Sequence, residues 1–221
     1  MALLKTKISP KTLQTEHLFS FKNHLGVRSS FRSKSLDEFI HSIDSTSNTI
    51  YNVERTLVLL RRALSFLSTV KKDNKQILFV GTSMKSRRLT KFIGKLTGSP
   101  YVQRRWTKGF LTNWESISSS IKFFNLFLKK LTLSKKGEYN IRQEFEGLSN
   151  LKELPSAIFF LDLNVDFEII NEARKLNIPI IAIIDNNYSS VGKIDYPIVS
   201  NTSSTLPLFL IISLVIDILK K

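Results

Sequence analysis

Apolar positions recur along this chain with two periods, and the alternation between them predicts the architecture. Between residues 49 and 70, Ile50, Val53, Leu57, Leu60, Leu64 and Leu67 fall on one face of a helical spiral, so the stretch reads as an amphipathic helix that Ser47 or Asn48 can cap. Residues 76–81, QILFVG, form a short apolar run closed by glycine, the pattern of a buried strand. Residues 84–98 return to helical spacing and stop at Gly98, and residues 100–103 suggest a second, short strand. Thr112 and Glu115 have capping-box spacing, and Ile117, Ile121, Phe124, Leu128 and Leu131 carry a helix to about residue 133. A polar turn follows, then a return helix over residues 141–151.

Downstream the pattern becomes regular. Residues 156–164 read as a strand, 166–177 as a helix, 178–187 as a strand of five aliphatic residues ending in an acid, and 195–199 as a short extended piece. The last run, residues 206–219, holds Asp217 and is 14 residues long. A bilayer span needs roughly 20 apolar residues, so this is expected to be a core helix. Strands that are apolar on both faces and alternate with helices predict a parallel sheet covered on both sides, an α/β fold. The expected division is a flexible basic tail over 1–20, an α/β domain over 21–112 and 153–221, and an inserted α-helical hairpin over 113–152. The N-terminal stretch lacks arginine and has too short an apolar run, so neither a transit peptide nor a signal peptide is expected.

Charge adds a partner to this picture. The 221 residues carry a formal net charge of +15, and residues 61–110 alone hold 13 basic and 1 acidic side chains, net +12. So dense a block repels itself unless a polyanion neutralises it, and nucleic acid is the expected partner. The absence of cysteine removes disulfides, thiolate metal sites and thiol catalysis. The three histidines, His17, His24 and His41, have no zinc-binding spacing, so no metal is expected.

An enzymatic alternative would use the carboxyl ends of the strands, where such sheets bind ligands. Gly81-Thr82-Ser83 could offer amides to a phosphate, and Asp162 and Asp185 could hold magnesium. Against this, no Gly-x-Gly-x-x-Gly occurs, the Walker pattern fails around Gly192-Lys193, and no histidine lies near the two acids in sequence. No catalytic residue and no cofactor are therefore expected.

Several blocks, taken in order, resemble a known family. They are HLG (24–26), NTIYNVERT (48–56), ILFVGT (77–82), RRWTKGFLTNW (104–114), ELPSAIFFLDLN (153–164) and EARKLNIPIIAIIDNN (172–187). Together they resemble the bacterial-type small-subunit ribosomal protein S-two (uS-two) family, from about residue 18 to the C-terminus. The chain departs from the family pattern at Val27, where a second histidine is usual, at Tyr188-Ser189-Ser190 and at Asn201-Thr202-Ser203. The resemblance implies a Rossmann-like or flavodoxin-like α/β domain with a protruding helical hairpin. It implies a structural constituent of the small ribosomal subunit that binds ribosomal RNA and neighbouring small-subunit proteins, with no membrane, no small-molecule substrate and no catalysis. A non-ribosomal nucleic-acid binder and a phosphate-ligand enzyme are the alternatives.

The expected RNA-binding residues are Lys85, Arg87, Arg88, Lys91 and Lys95 on one helix, with Arg104, Arg105, Trp106, Lys108 and Asn113 in the following loop. Arginine bridges phosphates bidentately, helical neighbours three or four apart share a face, and a tryptophan can stack on a base. Trp114 is expected to anchor the hairpin base, and Gly109 to permit a tight turn. Lys (22) outnumbers Arg (11), and Phe, Ile, Asn and Ser are abundant. That bias suits an AT-rich genome and makes the mitochondrial ribosome, in the matrix, the first expected location, with a plastid or a bacterial cytoplasm second.

Overall fold

The structure is a computed structural model that describes residues 8–28, 33–104, 106, 108–128, 146–163 and 167–220. Three strands, β1 (Leu25–Arg28), β2 (Ile40–Ile43) and β3 (Asn48–Tyr51), form a small antiparallel sheet in the order β1-β3-β2. Five more, β4 (Ile77–Val80), β5 (Tyr101–Val102), β6 (Ala157–Phe160), β7 (Ile180–Ile184) and β8 (Tyr196–Val199), form a parallel sheet in the order β5-β4-β6-β7-β8. The chain runs outward from β4 to the β5 edge, then returns to build β6, β7 and β8 on the other side. The direction reverses between β4 and β6, the switch point at whose carboxyl side such sheets commonly bind ligands.

Every residue of β4, β6 and β7 is buried, as expected for a sheet covered on both faces. Successive side chains alternate faces. Phe79, Phe159, Ile181 and Ile198 enter one core cluster, while Leu78, Ile158, Ala182 and Val199 enter the other. The register sets Phe79 opposite Phe159, with ring centroids 5.6 Å apart.

The first cluster is roofed by α2 (Val53–Lys72), α3 (Ser86–Thr97) and the C-terminal helix α6 (Thr205–Lys220). Helix α6 packs against both α2 and α3, and so lies between them. Its buried side chains span most of its circumference, which explains why an apolar 14-residue run needs no membrane. The second cluster lies under α4 (Trp114–Leu128), α5 (Phe167–Lys175) and the loop that follows β5.

Three expectations change. The helix predicted from residue 49 begins at Val53, where the Asn52 side chain accepts the Arg55 N–H at 3.2 Å. Residues 48–51 are a strand with Thr49 and Tyr51 facing inward; Ile50 matched the helical phase by coincidence of a period-two pattern. The predicted N-terminal tail holds a short helix, α1 (Thr15–Ser20), and Leu13 and Leu18 are fully buried in the core. Residues 1–7 lie outside the described residues. The first arm of the expected hairpin starts at Trp114 rather than Thr112. Residues 129–145 lie outside the described residues, and Glu146–Leu148, predicted as helix, is a 3₁₀ turn. That turn packs on β5 so tightly that a Cβ on Gly147 would stand 2.1 Å from the Tyr101 carbonyl oxygen.

Candidate nucleic-acid interface

The loop after β5 is held from inside by one acid. Helix α5 buries Ile169, Ile170 and Ala173 on its sheet-facing stripe, and Glu172 falls in the same stripe. A carboxylate there must find donors. Its Oε1 accepts the Gly109 N–H at 2.7 Å and the Trp106 indole N–H at 3.4 Å, and its Oε2 accepts the Leu111 N–H at 2.9 Å. Gly109 takes φ +80°, a left-handed turn that glycine adopts without strain. Phe110 packs against Trp106 and edge-on to Trp114, with centroids 4.7 Å and 6.4 Å away.

This arrangement reassigns Trp106. It is 7% exposed and lies in the core cluster with Phe110 and Leu111, so it anchors the loop and leaves no open face for a base. Asn113 is exposed, and it secures the helix start through its backbone, not its side chain. Its N–H donates to the Gly109 carbonyl at 2.8 Å, and its carbonyl accepts the Ile117 N–H at 3.2 Å. Lys108 is exposed and pairs with Glu168 at 2.6 Å. Arg104 is half-buried just beyond the end of β5, and Arg105 lies outside the described residues.

Helix α3 starts at the carboxyl end of β4. A Cβ on Gly81 would meet the Thr90 hydroxyl oxygen at 2.1 Å, so glycine lets the helix approach the strand. The Ser83 hydroxyl accepts the Ser86 N–H at 3.2 Å, so part of the donor capacity expected for a phosphate is already satisfied internally. Lys85 and Arg88 are exposed and have no acidic partner among the described residues. Arg87 turns back, half-buried, to donate to the Thr82 carbonyl at 3.2 Å. Lys91 and Lys95 both grip Glu146, at 2.9 and 3.2 Å. Burial pushes the Glu146 carboxyl up, but hydrogen bonds from the two lysines and their charges outweigh it and hold the pKa below its ordinary value. Tyr101 lies between this turn and Gly94 of α3, whose added Cβ would meet the ring at 2.1 Å. Burial, then the charge of Glu146, raises its hydroxyl pKa to about 12.

The predicted footprint is therefore divided. The loop roots its aromatic residues in one core cluster and α3 packs on the other, so the two cationic groups attach to opposite faces of the sheet and approach each other only at its carboxyl rim. Both strand-end acids are withdrawn from solvent. Asp185 is buried, accepts the Thr202 hydroxyl and the Asn187 N–H, the latter at 3.1 Å. Asp162 is buried as well. No group of three metal-ligating side chains occurs among the described residues.

Two features escaped sequence reasoning. Asn186, fully buried, ties the small sheet to the end of β7: it accepts the Tyr51 hydroxyl at 3.0 Å, returns its N–H to that oxygen at 2.9 Å, and donates to Thr49 at 3.0 Å. Burial, then the nearby charge of Asp185, raises the Tyr51 pKa, so the phenol stays neutral and can serve both bonds. The other is Glu172, whose only signal was an acid set within an apolar helical stripe.

Comparison with known proteins supplies the last observation. Residues 18–221 match the family model described as Ribosomal protein S2. The small ribosomal subunit protein uS2 of Ehrlichia chaffeensis is 35% identical over 190 residues, covering 80% of this chain and 65% of that protein. Its counterpart in Anaplasma marginale is 34% identical, covering 82% of this chain and 59% of that protein. The uS2 protein of Neorickettsia sennetsu is 31% identical over 214 residues, covering 91% and 72%. The chain thus spans less than two thirds of the length of the first two relatives.

Proposed function

The chain belongs to the ribosomal protein S2 family, and from that premise we propose that it is a structural constituent of the small ribosomal subunit, binding ribosomal RNA and neighbouring small-subunit proteins. The observation that carries this reading is the match over residues 18–221, which takes in both cationic groups. In it, Lys85 and Arg88 at the start of α3, with Arg104 on the loop, contact phosphates, and Lys108 does so only by exchanging its Glu168 partner. Lys91 and Lys95 mainly clamp the Glu146 turn, and Trp106 and Asn113 shape the loop. Positive charge on fixed backbone suits RNA recognised by shape, since phosphate contacts position a protein without reading sequence. No catalytic step is assigned. No helix among the described residues is long and apolar enough to cross a membrane. The mitochondrial ribosome is the proposed location on the lysine-rich composition, and the bacterial relatives make a bacterial cytoplasm the alternative.

The test is sedimentation of the tagged full chain from a native extract through a high-salt gradient. Co-migration with the small subunit is expected. Migration as a free protein of about 25.3 kDa overturns the reading.

A further inference from the structure

Helix α2 carries cations that neither the loop nor α3 accounts for. Its inner face buries Val53, Leu57, Leu60, Leu64 and Leu67, which leaves Arg55, Arg61, Arg62 and Lys72 exposed on the outside, with Lys71 exposed in the last turn and Lys75 just beyond the helix end. Two are engaged: Arg61 donates to the Leu13 carbonyl at 2.8 Å, and Arg55 to the Glu38 carbonyl. Arg62, Lys71, Lys72 and Lys75 have no acidic partner among the described residues.

Arg62 is also pre-oriented. Its guanidinium lies 5.7 Å from the Tyr196 ring centre, and Tyr196 stacks on Phe66 at 4.3 Å with the planes 15° apart. A guanidinium held over an aromatic face keeps its N–H edge available for a bidentate anion and loses less freedom on binding. From Arg62 to Lys72 the helix rises about 15 Å, so the two cations stand about three turns apart along it.

We infer that the outer face of α2, centred on Arg62 and continuing to Lys72 and to Lys75 beyond the helix end, is a second phosphate-binding surface for RNA, separate from the α3 and loop cations. The inference rests on the ribosomal reading above. Separation follows from packing: α6 lies between α2 and α3 on the same side of the sheet. RNA fits this face better than an acidic protein does, because Val58 is its one large exposed apolar side chain. The buried centre of a protein interface is more apolar than its rim, and this face offers only Val58 for one.

The test compares the full chain with the triple variant Arg62→Ala/Lys72→Ala/Lys75→Ala for binding to a small-subunit ribosomal RNA transcript over a range of salt concentrations. Circular dichroism verifies that both are folded. Each lost phosphate contact makes the log–log salt slope shallower by about 1, so a change of roughly 2 to 3 is expected, with weaker binding at every salt concentration. A folded triple variant with unchanged slope and affinity overturns the inference while the ribosomal reading stands. If the triple variant keeps its RNA affinity but loses a neighbouring protein from the assembled subunit, the face is a protein contact and the inference is likewise overturned. Failure of the unmodified chain to bind the transcript or to sediment with the subunit overturns the ribosomal reading itself.

Discussion

Removing the Glu172 carboxylate should detach the loop that carries Arg104 and Lys108. The acid accepts two backbone N–H groups at 2.7 and 2.9 Å and an indole N–H at 3.4 Å. Hydrogen bonds to a charged acceptor contribute about 1.5–3 kcal/mol each. Leu111 is buried, so in Glu172→Ala its N–H cannot turn to water. The Gly109 N–H is only part-buried and can be hydrated. Counting the two short bonds and discounting the long one, Glu172→Ala should cost about 3–6 kcal/mol, a large share of the roughly 5–15 kcal/mol typical of a domain. Glu172→Gln retains one acceptor oxygen but turns an NH₂ toward the remaining donors, and should fall between, at about 2 kcal/mol. Urea denaturation followed by circular dichroism and by tryptophan fluorescence measures both. The fluorescence of Trp106 should change before the global transition if the loop detaches first. A loss below about 1 kcal/mol in the alanine variant, or a glutamine variant no better than alanine, would refute the reasoning.

Three further predictions concern the joints of the fold. Gly147→Ala should destabilise by at least about 1–3 kcal/mol, because the new Cβ meets a backbone carbonyl at 2.1 Å that cannot rotate away; Gly98→Ala, which meets nothing within 4 Å, should show only the cost of its φ of +69°, about 1–2 kcal/mol, and thermal melts of the pair test the contrast. Tyr51→Phe should cost about 1–3 kcal/mol in urea denaturation, because it leaves the buried Asn186 N–H and amide oxygen each without the phenol. The Glu146 clamp should be pH-dependent: its folded pKa lies below the ordinary 4.5, so its stabilisation is complete above that value and disappears as pH falls through the lowered folded value. The stability difference between the native chain and Glu146→Gln should shrink on acidification over that window, and a difference that grows would contradict the assignment.

How much of this was legible depends on the range of each interaction. The strands β4, β6 and β7 were readable because a strand buried on both faces is apolar throughout, and helix α3 because Gly98 ends it in a left-handed turn. The small sheet was not, since Ile50 satisfies a helical phase as well as a strand phase and only the buried pairing of Tyr51 with Asn186, 135 residues away, distinguishes them. The site was half legible. Lys85 and Arg88 lie exposed, while Lys91 and Lys95 are engaged by an acid 55 and 51 residues downstream.

By itself, then, the sequence determined which segments are helix and strand over most of the chain, that the sheet is parallel and doubly covered, and that the charge is concentrated in residues 61–110. Those properties follow from local periodicity and composition. Only the tertiary structure decided the order β5-β4-β6-β7-β8, the burial of Trp106, and the division of the cations among the loop, α3 and α2. The physical reason is that a cation's availability depends on whether an acid or carbonyl from a distant segment reaches it, and an aromatic ring's role on which cluster encloses it. Both are properties of packing between segments, and no local pattern encodes them.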